Sequence, residues 1–314
     1  MNVLRLTLRQ LQIFVAVARC GSTTAASAEL ALSQSATSSA INELERLLSM
    51  PLFERSGKRL LLNDNGRSLQ PQALAMLDCA AQIEQMARDG LAQTESLRIG
   101  ASTTLGNYVV PQLLGQLLGQ LHNTSATWHS KVLIGNTKSI CNAVAAFELD
   151  IGLIEGPSHH ARLTATPWLR DELLVVSAQP NPRCLSLNAL RDAVWLLREP
   201  GSGTREATDQ MLLPHLQSYR RSIELGSSQA LKQAAAQGLG LTCLSQWVVG
   251  DFIASQRLHR VITTLPKMSR QCYFVVHQDK QPTPALLRLM TLAVAFAHAQ
   301  GGPKTALPTS TNHA

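Results

Sequence analysis

The chain has 314 residues, of which 45% are hydrophobic and 16% charged, enough for two or three domains with sizeable cores and unlike a disordered basic tail. Its formal net charge of +7 fits contact with a polyanion. No apolar run reaches the length of a membrane span, and the opening MNVLRLTLRQ lacks the apolar stretch and small-residue cleavage site of a signal peptide.

Cys20, Cys79, Cys141, Cys184, Cys243 and Cys272 are scattered without a C-x-x-C pair, as expected of reduced thiols in a cytoplasmic protein. His159-His160 is the one histidine cluster and no second ligand pair stands at metal spacing, so neither a metal site nor a cofactor is expected.

Residues 1–62 read as one unit. Thr7 can cap a helix with Leu8, Leu11, Phe14, Val15 and Ala18 on one stripe, and Gly21 ends it. Ser22 or Thr23 starts a short second helix. Ser33 caps a third, QSATSSAINELERLL, with Ala36, Ala40, Ile41, Leu44, Leu47 and Leu48 as its apolar positions. PLFERSGKRLLL then reads as two short strands around Ser56-Gly57, a small wing. Asn63 or Asp64 caps a long linker helix, 63–92, in which Leu69, Ala73, Met76, Ala80, Ile83 and Ala87 form a heptad seam. Pro71 should bend its first turns.

From Leu97 onward short apolar runs alternate with helical patterns. LRIGA, WHSKVLIG, DIGLI, ELLVVSA, AVWLL, SIELG, LGLTCL and CYFVVH read as strands, with helices near 111–121, 138–147, 204–217, 228–238 and 283–299. The texture predicts an α/β fold with mainly parallel sheets. Residues 301–314 carry no periodicity and are expected to be disordered.

Two helices joined by a tight turn, then a third with a polar face, make a helix-turn-helix pattern. The start of the third helix offers Ser33, Gln34, Ser35, Thr37 and Ser38, short side chains suited to base edges in a major groove, and Gln34 can pair with adenine. Arg55, Lys58 and Arg59 in the wing offer phosphate contacts. Residues 1–62 hold seven Lys and Arg against four Asp and Glu, a net +3.

The segments GSTTAAS, LSQSATSSAI, LFER and NDNG, with the helix around Phe14–Ala18, resemble the winged helix-turn-helix of LysR-type transcriptional regulators. The resemblance covers nearly the whole chain. Two positions depart from it: Ser49 where a Gly is usual, and Asn63 where a Thr usually caps the linker helix. The resemblance implies double-stranded operator DNA as partner and pairing of two subunits through the linker helix. It further implies assembly into tetramers and RNA polymerase as a contact.

LREPGSGTRE, residues 197–206, raises a separate question. It lacks the Lys of a phosphate-binding Walker loop, the third Gly of a dinucleotide fingerprint and the frame of a nucleophile elbow. Ser202 has no committed His and Asp, so the expectation is no enzyme, with a Ser202 hydrolase or a solute-binding protein without a DNA role as rivals. The remaining chemistry is an anion cradle: Gly201 and Gly203 let the backbone turn, and Ser202 or Thr204 caps the following helix. Ser102, Thr103 and Thr104, then Asn136 and Thr137, then Ser227 and Ser228, repeat this device after other strands. Ligands of open α/β sheets bind at such strand ends.

The resemblance implies two Rossmann-like α/β subdomains of the periplasmic-binding-protein type within an effector-binding domain, 93–300. They are 95–164 plus 270–300, and 165–269, with the effector between them. GASTTLGNYVVP, DIGLIEGP, LREPGSGTRE and GLGLTCLS look most like the YeiE-type branch, close to regulators of sulfite reductase. This implies a small anion, sulfite or a related sulfur oxyanion, as effector, with a phosphorylated or carboxylate metabolite as the alternative. Ser102, Thr103, Asn136, Thr204 and Ser228 carry over as first pocket residues, then Ser202 and Glu155. A Glu would repel an anion unless paired, so Glu155 is also a hinge candidate.

Overall fold

In a computed structural model of the chain, residues 5–56, 59–89, 94–121, 127–180 and 183–300 are described. The chain separates into two compact units, residues 1–92 and 93–314.

The first unit opens with α1 (Leu8–Cys20), whose N-cap Thr7 and N3 residue Gln10 satisfy each other's backbone N–H groups in a capping box. Gly21, at φ 67°, ends it. Ser22 caps α2 (Thr23–Glu29) and Ser33 caps α3 (Gln34–Leu48). The wing is an antiparallel pair, β1 (Phe53–Ser56) and β2 (Arg59–Leu62), with Phe53 opposite Leu62. Asn63 Oδ1 accepts from Gly66 N–H at 2.9 Å at the start of α4 (Asp64–Asp89), which continues through Pro71. Gly66 leaves no room for a Cβ, which would collide with the Leu52 carbonyl.

Leu11, Phe14, Val17, Ala26, Ile41, Leu44, Leu52 and Ala73 form the core. Two expected stripe positions face outward instead. Leu8 is exposed while Ile13 and Ala16 are buried, and Ala36 is exposed while Thr37 is buried. Ser49 ends α3 at φ 54°, ψ 31°, the left-handed conformation that usually selects Gly.

The second unit runs β3 (Thr94–Ser102), α5 (Thr103–Tyr108), α6 (Val110–Leu121), β4 (Thr127–Gly135), α7 (Thr137–Ala145), β5 (Ile151–Glu155) and β6 (Leu163–Ser177). It continues with α8 (Leu187–Asp192), β7 (Val194–Leu197), α9 (Gly203–Leu216), β8 (Arg221–Glu224), α10 (Ser228–Ala236) and β9 (Thr242–Ser245). It closes with α11 (Gln246–Ala254), β10 (His259–Arg260), β11 (Met268–His277) and α12 (Pro284–Ala299). The helices α5, α8 and α11 are not among the predicted elements. The expected disordered tail, 301–314, lies outside the described residues.

The sheet is mixed rather than mainly parallel. Its order is β10-β6-β11-β5-β3-β4, with β9 also on β6. β3 pairs parallel with β4 and β5, but β11 runs antiparallel to β5 and β6, and β6 antiparallel to β9 and β10. The cause is that β6 and β11 are long. The first half of β6 and the second half of β11 belong to one lobe, built around Ile99, Leu105, Leu113, Ile151, Trp168, Phe274 and Leu289. The second half of β6 passes into the other lobe. There Leu173 and Val175 join Trp195, Leu212 and Leu241 on one face, and Leu174 and Val176 join Leu196, Leu231 and Val248 on the opposite face. Both faces are covered, which is why these strands read as unbroken apolar runs. β7 and β8 pair parallel in this lobe, and Trp195 bridges to Leu241. Among the described residues no helix is long and apolar enough to cross a membrane.

Candidate functional site

In the first unit, α2, α3 and the wing enclose an open, largely polar groove of about 490 Å³ lined by Thr23, Gln34, Ser38, Asn42, Arg55 and Arg59, among others. Gln34 Nε2 donates to Ser38 Oγ at 3.0 Å and to Thr23 Oγ1 at 3.3 Å, so its amide is steered along the exposed face of α3. Ser35 is exposed, and Ser33 accepts from Ala36 N–H as the helix cap. Thr37 is a correction to the sequence-based set. It is buried, its hydroxyl donates to the Ser33 carbonyl at 3.1 Å, and it faces the core rather than a groove. Lys58 lies outside the described residues. Asn42, exposed and one turn beyond Ser38, extends the Gln34–Ser38 stripe; the four-residue spacing carried that signal unread.

In the second unit the lobes meet around a buried guanidinium. Arg270, on β11, donates through NH1 to Glu155 Oε2 and to Thr204 Oγ1, both at 2.8 Å, and through Nε to Asp171 Oδ2 at 2.8 Å. Ser245 Oγ donates to Asp171 Oδ1 at 2.7 Å. Glu155, at the end of β5, also accepts from the Thr104 N–H at 3.0 Å and from the Thr204 hydroxyl at 3.1 Å. Burial alone would raise the Glu155 carboxyl. The Arg270 charge and hydrogen bonds from Thr104 and Thr204 outweigh it and hold Glu155 below the usual carboxylate range. Burial dominates at Asp171 and pushes it up. Glu155 is thus paired, and its partner is a guanidinium rather than an anion.

The LREPGSGTRE loop closes against the same strand end. Gly201 takes φ +88°, and a Cβ at Gly203 would collide with the Glu155 carbonyl oxygen. Thr137 Oγ1 donates to that carbonyl at 3.1 Å and accepts from Gly203 N–H at 3.2 Å. Lys138 N–H donates to the Gly201 carbonyl at 3.0 Å. Ser202 caps α9. Arg205 turns away to Asp209, Glu224 and the Arg198 carbonyl. The N-terminus that the sequence offers to an anion is packed by groups of the chain itself.

A second guanidinium stands beside it. Arg198 follows β7 directly and is 3% exposed. It donates through NH1 to Ser228 Oγ at 2.9 Å, at the start of α10, and through NH2 to Thr103 Oγ1 at 3.5 Å. Its Nε and NH2 hold the Glu199 carboxylate at 2.7 and 2.8 Å. Asn136 Oδ1 caps α7 through Ser139 N–H, while its Nδ2 donates to Glu199 Oε1 at 3.2 Å. The ends of β3, β4, β7 and β8 therefore converge on the Arg198–Glu199 pair, Asn136 reaching it through the Glu199 carboxylate.

The predicted pocket residues divide accordingly. Thr103 and Ser228 gather at Arg198, and Asn136 at its partner Glu199. Glu155 and Thr204 gather at Arg270, with Ser102 buried beside the Glu155 carboxylate, and Ser202 serves as the cap of α9. Sequence reasoning missed Arg198, Glu199, Asp171 and Arg270. The available signal was a charged residue inside, or at the end of, an otherwise apolar strand. Among the described residues no group of three or more His, Cys, Asp and Glu could hold a metal ion.

Residues 8–67 match the family model described as bacterial regulatory helix-turn-helix protein, lysR family, and residues 92–297 match the LysR substrate binding domain. The chain belongs to the LysR family. As a LysR-family protein it is a DNA-binding transcriptional regulator with an effector-binding domain, and the proteins it matches are regulators rather than enzymes. It is 41% identical over 290 residues to the uncharacterized HTH-type transcriptional regulator YeiE of Escherichia coli (strain K12), covering 91% of this chain and 97% of that one. Its fold is similar to that of ArgP from Mycobacterium tuberculosis, with a TM-score of 0.71 at 16% identity over 93% of this chain and 98% of that one. The regulatory domain of CcmR from Synechocystis PCC6803, in complex with 2-PG, superposes with a TM-score of 0.58 at 27% identity, covering 65% of this chain and 98% of that one.

Proposed function

We propose that this LysR-family regulator is switched by a small oxyanion seated at Arg198 between the two lobes of its effector-binding domain. The observation that carries this reading is the buried Arg198 guanidinium, paired with Glu199, at the meeting point of four strand ends. Thr103 and Asn136 come from one lobe and Ser228 from the other. A planar guanidinium fork beside hydroxyl and amide groups suits an oxyanion. An anion held by both lobes favours their closed arrangement. Sulfite or a related sulfur oxyanion is the first choice, following the resemblance to the YeiE-type branch. A phosphorylated or carboxylate metabolite would use the same fork, and the CcmR regulatory domain, which holds 2-PG, favours keeping it as a second reading.

On the DNA side the proposed contacts are Ser33, Gln34, Ser35 and Ser38 to bases and Arg55 and Arg59 to phosphates. The proposed organisation is a DNA-binding domain over 1–62, a linker helix over 63–92 that pairs two subunits, and an effector-binding domain over 93–300.

The test is thermal unfolding of the purified protein with sulfite, sulfate, thiosulfate, phosphate, citrate and sugar phosphates at matched ionic strength. Sulfite at ~100 times its dissociation constant should add roughly 2.7 kcal/mol. The rise should vanish in Arg198→Gln. Selective stabilisation by a sugar phosphate or citrate would move the effector to the metabolite class. No selective rise with any of them would overturn the oxyanion reading.

A further inference from the structure

Arg198 and its neighbour Glu199 form an ion pair of unequal partners. The Arg198 side chain is 2% exposed, whereas that of Glu199 is 23% exposed and reaches solvent. The Glu199 carboxylate bridges the lobes. Its two oxygens take Nε and NH2 of Arg198 from one lobe, and Oε1 also takes Nδ2 of Asn136 from the other. These are the donors that an oxyanion in the cleft would require. We infer that Glu199 is a tethered stand-in for the effector, which the effector displaces from Arg198 and Asn136.

The inference rests on the oxyanion reading above. Three features support it. The carboxylate is presented to the guanidinium in the two-point geometry that carboxylate and phosphate oxygens adopt on arginine. Arg198 NH1 is anchored separately on Ser228, so the fork stays in position when Glu199 leaves. Glu199 is joined to Arg198 by a single peptide link and already touches water, so it can turn outward without leaving a buried carboxylate unpaired. With Glu199 in place the buried Arg198 charge is already neutralised, and a weakly held monoanion gains little by replacing it. A dianion gains more, because it brings two charges to one cation and three or more oxygens to the waiting donors. Glu199 thereby sets both the threshold for the effector and the preference for doubly charged oxyanions.

The experiment is calorimetric titration of the full chain, wild type and Glu199→Gln, with sulfite and with acetate at fixed ionic strength, with Arg198→Gln as control. Expected is at least a tenfold tighter sulfite complex in Glu199→Gln, together with measurable acetate binding that the wild type lacks. Glu199→Asp, which keeps the charge but shortens the reach, should fall between the two and serves if Glu199→Gln does not fold. Sulfite binding confined to Glu199→Gln would also support displacement. Wild-type binding of sulfite that is lost in Arg198→Gln, but neither tightened nor broadened in Glu199→Gln, would overturn the stand-in role and leave the oxyanion site in place. No binding by any variant would overturn both.

Discussion

Asp150 shows how single charges tie the effector-binding domain together. Its carboxylate accepts from the Arg98 N–H at 2.7 Å and the Arg98 NH2 at 2.6 Å, and from Lys280 Nζ at 2.8 Å, joining the start of β5 to β3 and to the segment after β11. Burial would raise its pKa, but Arg98 and Lys280 outweigh burial and hold the folded carboxyl below the ordinary aspartate value. Its ionised form therefore stabilises the fold above the pKa of unfolded aspartate, and that contribution is lost as pH falls through the lower folded value. In urea unfolding, the stability gap between wild type and Asp150→Asn should be full near neutrality and close as pH drops below about 4. A gap independent of pH would contradict this pairing. Such residues were only partly legible in the sequence. Caps were readable because Ser, Thr and Asn before a helix have a local signature, and Ser22, Ser33, Asn136 and Ser202 all cap as their positions suggest. Arg198 and Arg270 were not, because the partners that hold them across the fold lie 30 to 166 residues away in the chain, and the adjacent Glu199 alone does not mark Arg198 as buried.

At the scale of elements, α9 is held by contact rather than by ligand. Its first residue, Gly203, touches the end of β5 so closely that a Cβ has no place. Gly203→Ala should therefore cost roughly 1–3 kcal/mol, read as a lower urea midpoint. A neutral substitution would mean that α9 does not seat on β5. The first-lobe strands and most of the longer helices were legible from apolar runs and periodicity. The mixed sheet was not, since the direction of β11 depends on where a long strand crosses between lobes. On α4, the heptad seam is divided in use. Leu69 and Ala73 pack into the core of their own unit, whereas Met76 and Ile83 are 47% and 62% exposed. The exposed pair is the part available to the proposed pairing of two subunits. Burying an Ile is worth roughly 1.5–3 kcal/mol, so Ile83→Asp, which removes one from each chain of a dimer, should weaken association at least about a hundredfold. Sedimentation of the variant as an unchanged dimer would contradict pairing through this face.

At the scale of the whole molecule, a DNA-facing unit and a two-lobed effector-binding unit share one chain. The helix-turn-helix was the most legible part because its helices, caps and wing are local. The two-lobed unit was legible as a class but not as a site. The hydroxyl-capped strand ends pointed to the cleft, and the charges that organise it emerged only from the fold. There one guanidinium, Arg270, is locked by two buried carboxylates, while the other, Arg198, is covered by a single partly exposed one. That asymmetry is the basis on which a structural role is proposed for Arg270 and ligand exchange for Arg198. The most direct test is a crystal structure of the protein grown with sulfite. Expected is an oxyanion within about 2.7–3.2 Å of the Arg198 guanidinium and of Asn136, contacting both lobes. An ordered sulfite bound elsewhere, with the Arg198–Glu199 pair undisturbed, would contradict the assignment.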